Sequence, residues 1–205
     1  MKKKRLLAFS SVAIVFAVWC VWTSKQVRAT AQEAAIHLDG DALIPNPIGV
    51  VNNAITIGRP PQAVWPWLAQ MGAGRAGWYS YDFIDNGGRP SAERILPEYQ
   101  KVSTGAIFPA VPGARDVFVV ARCNPEHSLV LAWRLSDGRF QTTWAFVLEP
   151  LPSGRTRLLV RGRVAPGYHP YGLPQWLALY LGRPAHFIMQ RKQMVNIKRR
   201  VEAGP

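Results

Sequence analysis

The segment GWYSYDFIDNGGRP, residues 77–90, concentrates side chains that could do chemistry. Ser80 and the two aspartates, Asp82 and Asp85, suggest a hydrolase, but no histidine is near them in sequence and the chain has no Gly-x-Ser-x-Gly motif. Either aspartate could instead act as a general base if burial raised its pKa. A simpler interpretation makes Ser80 the N-cap of a short helix with both aspartates early in it.

Two arginines, Arg89 and Arg94, follow the aspartates, so two acids and two bases fall within thirteen positions. One interpretation is an ion-paired loop, packed with aromatic side chains, that fixes the connection between helix and sheet. The other is the entrance of a pocket, where an arginine orients a polar head group and aromatic rings line the wall. On the second interpretation, the ligand-binding residues of this segment are Trp78, Tyr79, Tyr81, Asp82, Asp85, Arg89 and Arg94.

No metal, cofactor or phosphate site is predicted. The histidines, at positions 37, 127, 169 and 186, lie outside ligand spacing of one another and of any cysteine. The glycines at 72, 74 and 77 follow an expected helix, whereas a phosphate-binding loop follows a strand. Nucleic acid is not an expected partner either, because the arginines of the most regular strand are not interleaved with aromatic residues on the same face.

Periodicity predicts one domain that combines a sheet with helices. Residues 50–57 read as a strand, and the prolines at 60 and 61 begin a helix that ends at Gly72. Two short helical pieces, capped by Ser80 and Ser91, precede a change to period two at Gly105. Strands are expected at 106–108, 117–122 and 129–134, followed by two longer strands joined by a turn at 152–154.

The two long strands carry the clearest alternation in the chain. Phe140, Trp144 and Phe146 share one face of the first strand. The second places four arginines, at positions 155, 157, 161 and 163, on the opposite face, which is expected to be solvated. The chain has a net charge of +13 and no acid between 154 and 200, so this surface could meet anionic lipid head groups.

The C-terminal part is expected to be helical. A short helix over 174–181 is stopped by Gly182, and Pro184 begins a longer amphipathic helix that reaches about Val201. An antiparallel sheet with helices on one face is an α+β arrangement, and a long helix laid across a curved sheet leaves a cavity between them. The expected lining of that cavity is Leu131, Trp133, Phe140, Trp144, Phe146, Val160, Phe187 and Met194.

The N-terminus predicts a membrane anchor. Four basic residues at 2–5 precede an apolar run from Leu6 to Trp22, which has roughly the minimum length for a transmembrane helix. The charge distribution favours a cytoplasmic N-terminus, with the domain outside the cytoplasm. A cleaved signal with a small-residue site at 29–31 is the alternative. The predicted organisation is a tail and anchor at 1–25, a linker at 26–47 and one domain at 48–205.

Three stretches of the sequence resemble the START/polyketide-cyclase superfamily (SRPBCC). They are ITIGRPPQAVWPWLAQMG, GWYSYDFIDNGGRPSAERILPEYQ and the ending MQRKQMVNIKRR. The last two resemble a bacterial branch with no assigned reaction, and the anchor is an addition to the usual pattern. The resemblance implies a helix-grip fold, in which a curved antiparallel sheet wraps around a long C-terminal helix. It fixes no reaction, because the superfamily includes lipid carriers, hormone receptors, cyclases and oxygenase subunits.

The predicted function is a membrane-tethered protein that binds an apolar small molecule or lipid in this cavity. A cyclase- or dehydratase-type enzyme that uses the Asp82/Asp85 region is one alternative. A ligand-free interaction module with a filled core is another. The volume of the cavity separates the module from the other two. A buried, unpaired carboxylate that faces the cavity would separate the enzyme from the binding protein, because acid–base catalysis needs such a group and binding alone does not.

Overall fold

The computed structural model describes residues 25–113, 117–135 and 137–204, and its centre is a six-stranded antiparallel sheet. The strands are β1 (Gly49–Ile57), β2 (Ile107–Pro109), β3 (Val117–Asn124), β4 (Ser128–Arg134), β5 (Phe140–Leu151) and β6 (Arg155–Val164), in the order β1-β6-β5-β4-β3-β2. The helices are α1 (Ala31–Ala35), α2 (Pro61–Ala69), α3 (Asp82–Asp85) and α4 (Gln175–Ala203). Short 3-10 turns lie at Lys25–Val27, Asp41–Leu43, Pro97–Tyr99 and Pro170–Gly172. This α+β arrangement is consistent with the helix-grip fold.

The β5–β6 hairpin confirms the pairing expected from alternation. Ser153 and Gly154 in its turn have φ angles of 64° and 66°, the left-handed conformation that a tight hairpin requires and that glycine adopts without strain. The register places Trp144 opposite Gly162. Phe146 and Leu148 lie on the inner face with the main core, as the sequence predicts.

Helix α4 packs against β1 and α2, and buries Met194, Ile197 and Val201 in the main core. The predicted break at Gly182 is wrong, because α4 continues through Pro184 without a second start. A proline at this position removes only the bond to the carbonyl of Tyr180. Both residues are exposed, so water can take the place of the missing bond.

The helix caps predicted for the segment 77–97 are wrong. Ser80 does not cap α3, because its hydroxyl donates to the carbonyl of Met189 in α4 at 3.1 Å. Ser91 begins no helix, since its hydroxyl donates to a carboxylate oxygen of Asp82 at 2.5 Å. These two bonds tie the segment to α4 and to itself, and thereby fix the position of α3.

Residues 29–44, which we call the strap, lie against the outer face of the sheet. Leu38 and Ala29 pack with Val147 and Leu159 in a second apolar cluster. The sequence predicts a linker over 26–47, and the structure corrects this for the strap, whose capping box at Thr30 and apolar contacts hold it in place.

The strap also covers three of the four arginines on β6. Arg157 pairs with Glu33 at 2.7 Å, while Arg161 and Arg163 both pair with Asp41, at 2.5 and 3.0 Å. The expectation of a solvated basic face is therefore wrong for these three, and Arg155 is the one that stays exposed. The acids that neutralise these arginines, Glu33 and Asp41, are far away in sequence, so the charge pattern between 154 and 200 gave no sign of the pairing.

Within the described ranges, no helix is both long enough and apolar enough to cross a membrane. The predicted anchor, Leu6 to Trp22, lies outside the described residues.

Candidate functional site

A cavity of about 640 Å³ lies between the inner face of the sheet, α3 and residues 178–193 of α4. Most of its wall is apolar. Val51 and Thr142 come from the strands, and Ile84 and Met189 from the helices. Aromatic side chains also line the cavity, and they include Trp78, Phe118, Trp133 and Trp144.

Trp144 is the centre of this aromatic group. Its ring centroid lies 5.3 Å from that of Trp78, 5.9 Å from Phe118 and 4.9 Å from Phe146. Trp133 meets Phe118 edge-on at 6.1 Å. Such ring distances are favourable for aromatic pairs, so the rings support one another and form a continuous wall.

Hydrogen bonds hold the two central indoles in place. The indole N–H of Trp78 donates to the carbonyl of Ala110 at 2.9 Å, and that of Trp144 donates to Oε1 of Gln190 at 2.7 Å. Gln190 in turn donates to Gln193 at 2.9 Å. Because both indole N–H groups are already satisfied, the rings offer a ligand their apolar faces and edges.

Asp85 places a carboxylate in this wall. Asp85 is 5% exposed, and neither of its carboxylate oxygens has a hydrogen-bond partner among the described residues. Burial, and then the neighbouring charge of Asp82, raise the pKa of Asp85 to about 6. Ser80 is close enough to lower that pKa slightly, but its proton is donated to Met189. The backbone N–H groups of Asp85 and Tyr81 also lower this pKa in part, so Asp85 is a buried carboxyl group whose pKa stays well above that of an exposed aspartate.

His186 is the second polar group in the wall that lacks a partner. Its Nδ1 is buried without a hydrogen bond to any described residue, and its ring lies edge-on to Trp144 at 6.1 Å. Burial lowers the pKa of His186, so the imidazole is neutral at physiological pH. A neutral imidazole can donate from one nitrogen and accept at the other.

Four of the predicted ligand-binding residues line the cavity, and they are Trp78, Asp85, Trp133 and Trp144. Six others lie outside its wall. Leu131, Phe146, Val160 and Met194 are fully buried in the core below the cavity. Phe187 is half-buried against that core, and Phe140 is half-buried at the start of β5.

The remaining predicted residues of segment 77–94 also lie outside the wall. Tyr79 is buried and accepts a hydrogen bond from Gln70, and burial raises its pKa. Tyr81 has the ammonium of Lys192 over its ring at 4.6 Å.

Asp82 is held by Ser91, and Arg89 and Arg94 are exposed. Among the described residues, neither of the two aspartates forms the predicted ion pair with these arginines.

Sequence reasoning missed several wall residues, namely Val51, Ser80, Phe118, Thr142, His186, Met189, Gln190 and Gln193. One signal could have found part of this set. His186, Gln190 and Gln193 fall beside Phe187 and Met194 on the apolar side of α4, where polar side chains need partners or a ligand. Phe118 gave no such signal, because its strand alternates like any other.

The described residues contain no group of three histidine, cysteine, aspartate or glutamate side chains that could hold a metal ion.

Comparisons with known proteins add little to this geometry. No family model and no curated protein matches the chain. Among solved structures, it is similar to the Polyketide_cyc-like protein Cgl2372 of Corynebacterium glutamicum, with 21% identity and a TM-score of 0.46 over 75% of this chain and 91% of that one.

Protein MLL2253 of Mesorhizobium loti is 16% identical, with a TM-score of 0.44 over 77% of this chain and 99% of that one. PFC0360w, an HSP90 activator from Plasmodium falciparum, is 14% identical, with a TM-score of 0.44 over 69% and 88%. These values assign neither family nor activity, and the fold rests on the topology described above.

Proposed function

We propose that this protein binds an apolar small molecule or lipid in the cavity between the sheet and α4. The observation that carries the proposal is the cavity itself, about 640 Å³ with aromatic and aliphatic walls. Ligand sites of proteins typically enclose about 300–1,000 Å³ and have apolar walls with a few polar groups. A filled core would leave no such space, so the cavity also speaks against an interaction module without a ligand.

The binding proposal is tested by filling the cavity. Thr142 in β5 lines the cavity, so the larger side chain of Thr142→Trp should occupy part of the cavity volume. Nile red, a neutral apolar dye, should bind the wild-type chain with increased fluorescence and bind the variant at least about tenfold more weakly, a difference of 1.4 kcal/mol. Thr104→Trp adds the same ring at an exposed position and is the control. Equal binding by all three chains would contradict the proposal.

Asp85 favours a second candidate function, acid–base catalysis of the cyclase or dehydratase type. A carboxyl group with a pKa of about 6 can accept a proton and return it near neutral pH. Its carboxylate would take a proton from a carbon next to a ligand carbonyl, leaving an enolate, and the protonated carboxyl would return a proton to that carbon. His186, neutral and in the same wall, could donate a hydrogen bond to the enolate oxygen.

Solvent exchange tests this second function without knowledge of the substrate. Tetralone, an aromatic ketone, should incorporate deuterium beside its carbonyl faster with the wild-type chain in heavy water than with buffer alone. Asp85→Asn keeps the shape of the side chain but cannot accept the proton, so the acceleration should disappear. Exchange at the buffer rate with the wild-type chain would remove the catalytic candidate and leave the binding proposal intact.

The membrane tether is part of the proposal and is supported by the apolar run at 6–22 and the basic residues that precede it. It would place the domain outside the cytoplasm and hold it close enough to the membrane to contact anionic lipid head groups. The mature protein should retain its first residues and stay in the membrane pellet after a carbonate wash. A mature N-terminus near Gln32, found by sequencing, would show cleavage instead.

A further inference from the structure

The described residues contain three buried side-chain polar atoms that lack a hydrogen-bond partner. They are the two carboxylate oxygens of Asp85 and Nδ1 of His186. Both residues line the same cavity, whose other walls are mostly apolar. Buried polar atoms in folded proteins nearly always have partners, and an exception therefore calls for a cause. A polar group of a bound ligand is a cause that fits both residues at once.

The two residues lie along one side of the cavity. Asp85 belongs to α3, and Ser80, just before this helix, donates to the carbonyl of Met189 in α4. Met189 follows His186 by three positions, which is less than one helical turn, or roughly 5 Å along the axis. The α3 end and this turn of α4 thus form one wall that carries both unpaired groups, while Trp78 and Trp144 belong to the aromatic wall.

Three polar side chains beside Asp85 and His186 are already engaged elsewhere. Asp82 is held by Ser91, and the hydroxyl of Ser80 is donated to Met189. The side-chain oxygen of Gln190 accepts from Trp144, and one of its amide N–H groups donates to Gln193. A carboxylate accepts hydrogen bonds only, so the partner that Asp85 lacks must be a donor.

We propose that the ligand is an aromatic or similarly apolar molecule that carries a hydroxyl or amine group, and that this group donates a hydrogen bond to Asp85. His186 then takes a second polar atom of the same end of the ligand. The apolar body packs against Trp78 and Trp144. This inference rests on the proposed binding function and names its ligand class. A ligand with a free carboxylate is disfavoured, because its charge would meet Asp85 with Asp82 beside it.

Four naphthalene probes separate the ligand classes, and each is titrated into the full chain. Naphthol and naphthylmethylamine carry a donor, methoxynaphthalene has the same rings without a donor, and naphthoate carries a negative charge. A hydrogen bond to a charged group should make naphthol bind about tenfold more tightly than methoxynaphthalene. Naphthylmethylamine should bind at least as tightly as naphthol, and naphthoate should bind most weakly.

Asp85→Leu should remove the preference for donors. In this variant naphthol and methoxynaphthalene should bind equally, because the acceptor is gone and the apolar wall remains. The variant should fold, since it deletes a buried carboxylate that has no partner. Asp137→Leu, which removes an exposed carboxylate on the loop between β4 and β5, is the control and should keep the tenfold preference. If Asp85→Leu does not fold, Asp85→Asn should reduce the advantage of the charged amine over naphthol.

Each outcome bears on one claim. Equal binding of naphthol and methoxynaphthalene to the wild-type chain, or tightest binding of naphthoate, would overturn the ligand class and leave the cavity as a binding site. Tightest binding of naphthoate would direct attention to Arg183, a cation in the cavity wall three positions before His186 in α4. Failure of all four probes and of Nile red to bind would overturn the binding function itself.

Discussion

Replacing Asp41 by asparagine should destabilise the fold more than any other single charge change in the strap. Asp41 is 6% exposed and pairs with two guanidinium groups, those of Arg161 and Arg163. The side chain of Arg161 is 3% exposed and also donates to Asn52 and to three strap carbonyls, at 2.6 to 3.0 Å. Asparagine keeps the shape and one acceptor but leaves a buried cation without its anion.

Breaking a buried ion pair by removing one partner costs about 3–5 kcal/mol. The neutral acceptors that remain around Arg161, and the partial exposure of Arg163, place the expected loss for Asp41→Asn near the lower end, about 3 kcal/mol. With a urea dependence of about 2 kcal/mol per molar, the unfolding midpoint should fall by about 1.5 M. The strap should also become open to proteases near α1, since Arg161 bonds the carbonyls of Glu33 and Ala34.

Urea unfolding followed by tryptophan fluorescence measures this loss. Asp137→Asn is the control, because Asp137 pairs with Arg139 at an exposed site and the change should leave the unfolding midpoint close to that of the wild-type chain. If the two variants unfolded at the same urea concentration, the strap would contribute nothing through these bonds, and the account of the outer face would be wrong.

Three further predictions concern titration and packing. The pKa of Glu33 is lowered from 4.5 to about 2, mainly by the bond from Arg157, so its contribution to stability is present above pH 4.5 and is lost as the pH falls toward 2. Glu33→Gln should therefore flatten the acid limb of a melting-temperature profile, and an unchanged limb would contradict the pairing. The pKa of Asp85 is raised from 3.8 to about 6. The stability of the wild-type chain relative to Asp85→Asn should therefore fall as the pH rises from 3.8 to 6. A stability difference between the two chains that does not vary with pH would contradict the burial of Asp85. A Cβ at Gly162 would lie 2.8 Å from Cγ2 of Val51. Gly162→Ala should therefore lower the free energy of unfolding, measured by urea titration, by about 1–3 kcal/mol. An unfolding midpoint equal to that of the wild-type chain would show that Val51 moves aside freely.

The sheet could be predicted from the sequence because its signals are local. Alternation over β5 and β6, with Ser153 and Gly154 between them, determines both the pairing and the inward face of Trp144. The C-terminal helix was harder, because Pro184 is a strong stop signal whose cost depends on whether its face is exposed. That depends on packing and cannot be read from neighbouring residues.

The strap could not be predicted because its evidence is spread over more than a hundred positions. Glu33 and Asp41 lie in a polar stretch that looks like a linker, while Arg157 and Arg161 look like a solvated face. Each pattern is ordinary alone, and only the fold shows that they neutralise each other. The same holds for Asp85, whose role depends on the absence of partners around it and on the cavity it faces.

Native mass spectrometry of the full chain with naphthol tests the central claim, a ligand site between the sheet and α4, most directly. We expect a one-to-one complex with the wild-type chain and with Thr104→Trp, and none with Thr142→Trp, whose added ring occupies the cavity. A complex of equal abundance with Thr142→Trp would contradict the claim, as would the failure of naphthol, the other three naphthalene probes and Nile red alike to form a complex with the wild-type chain.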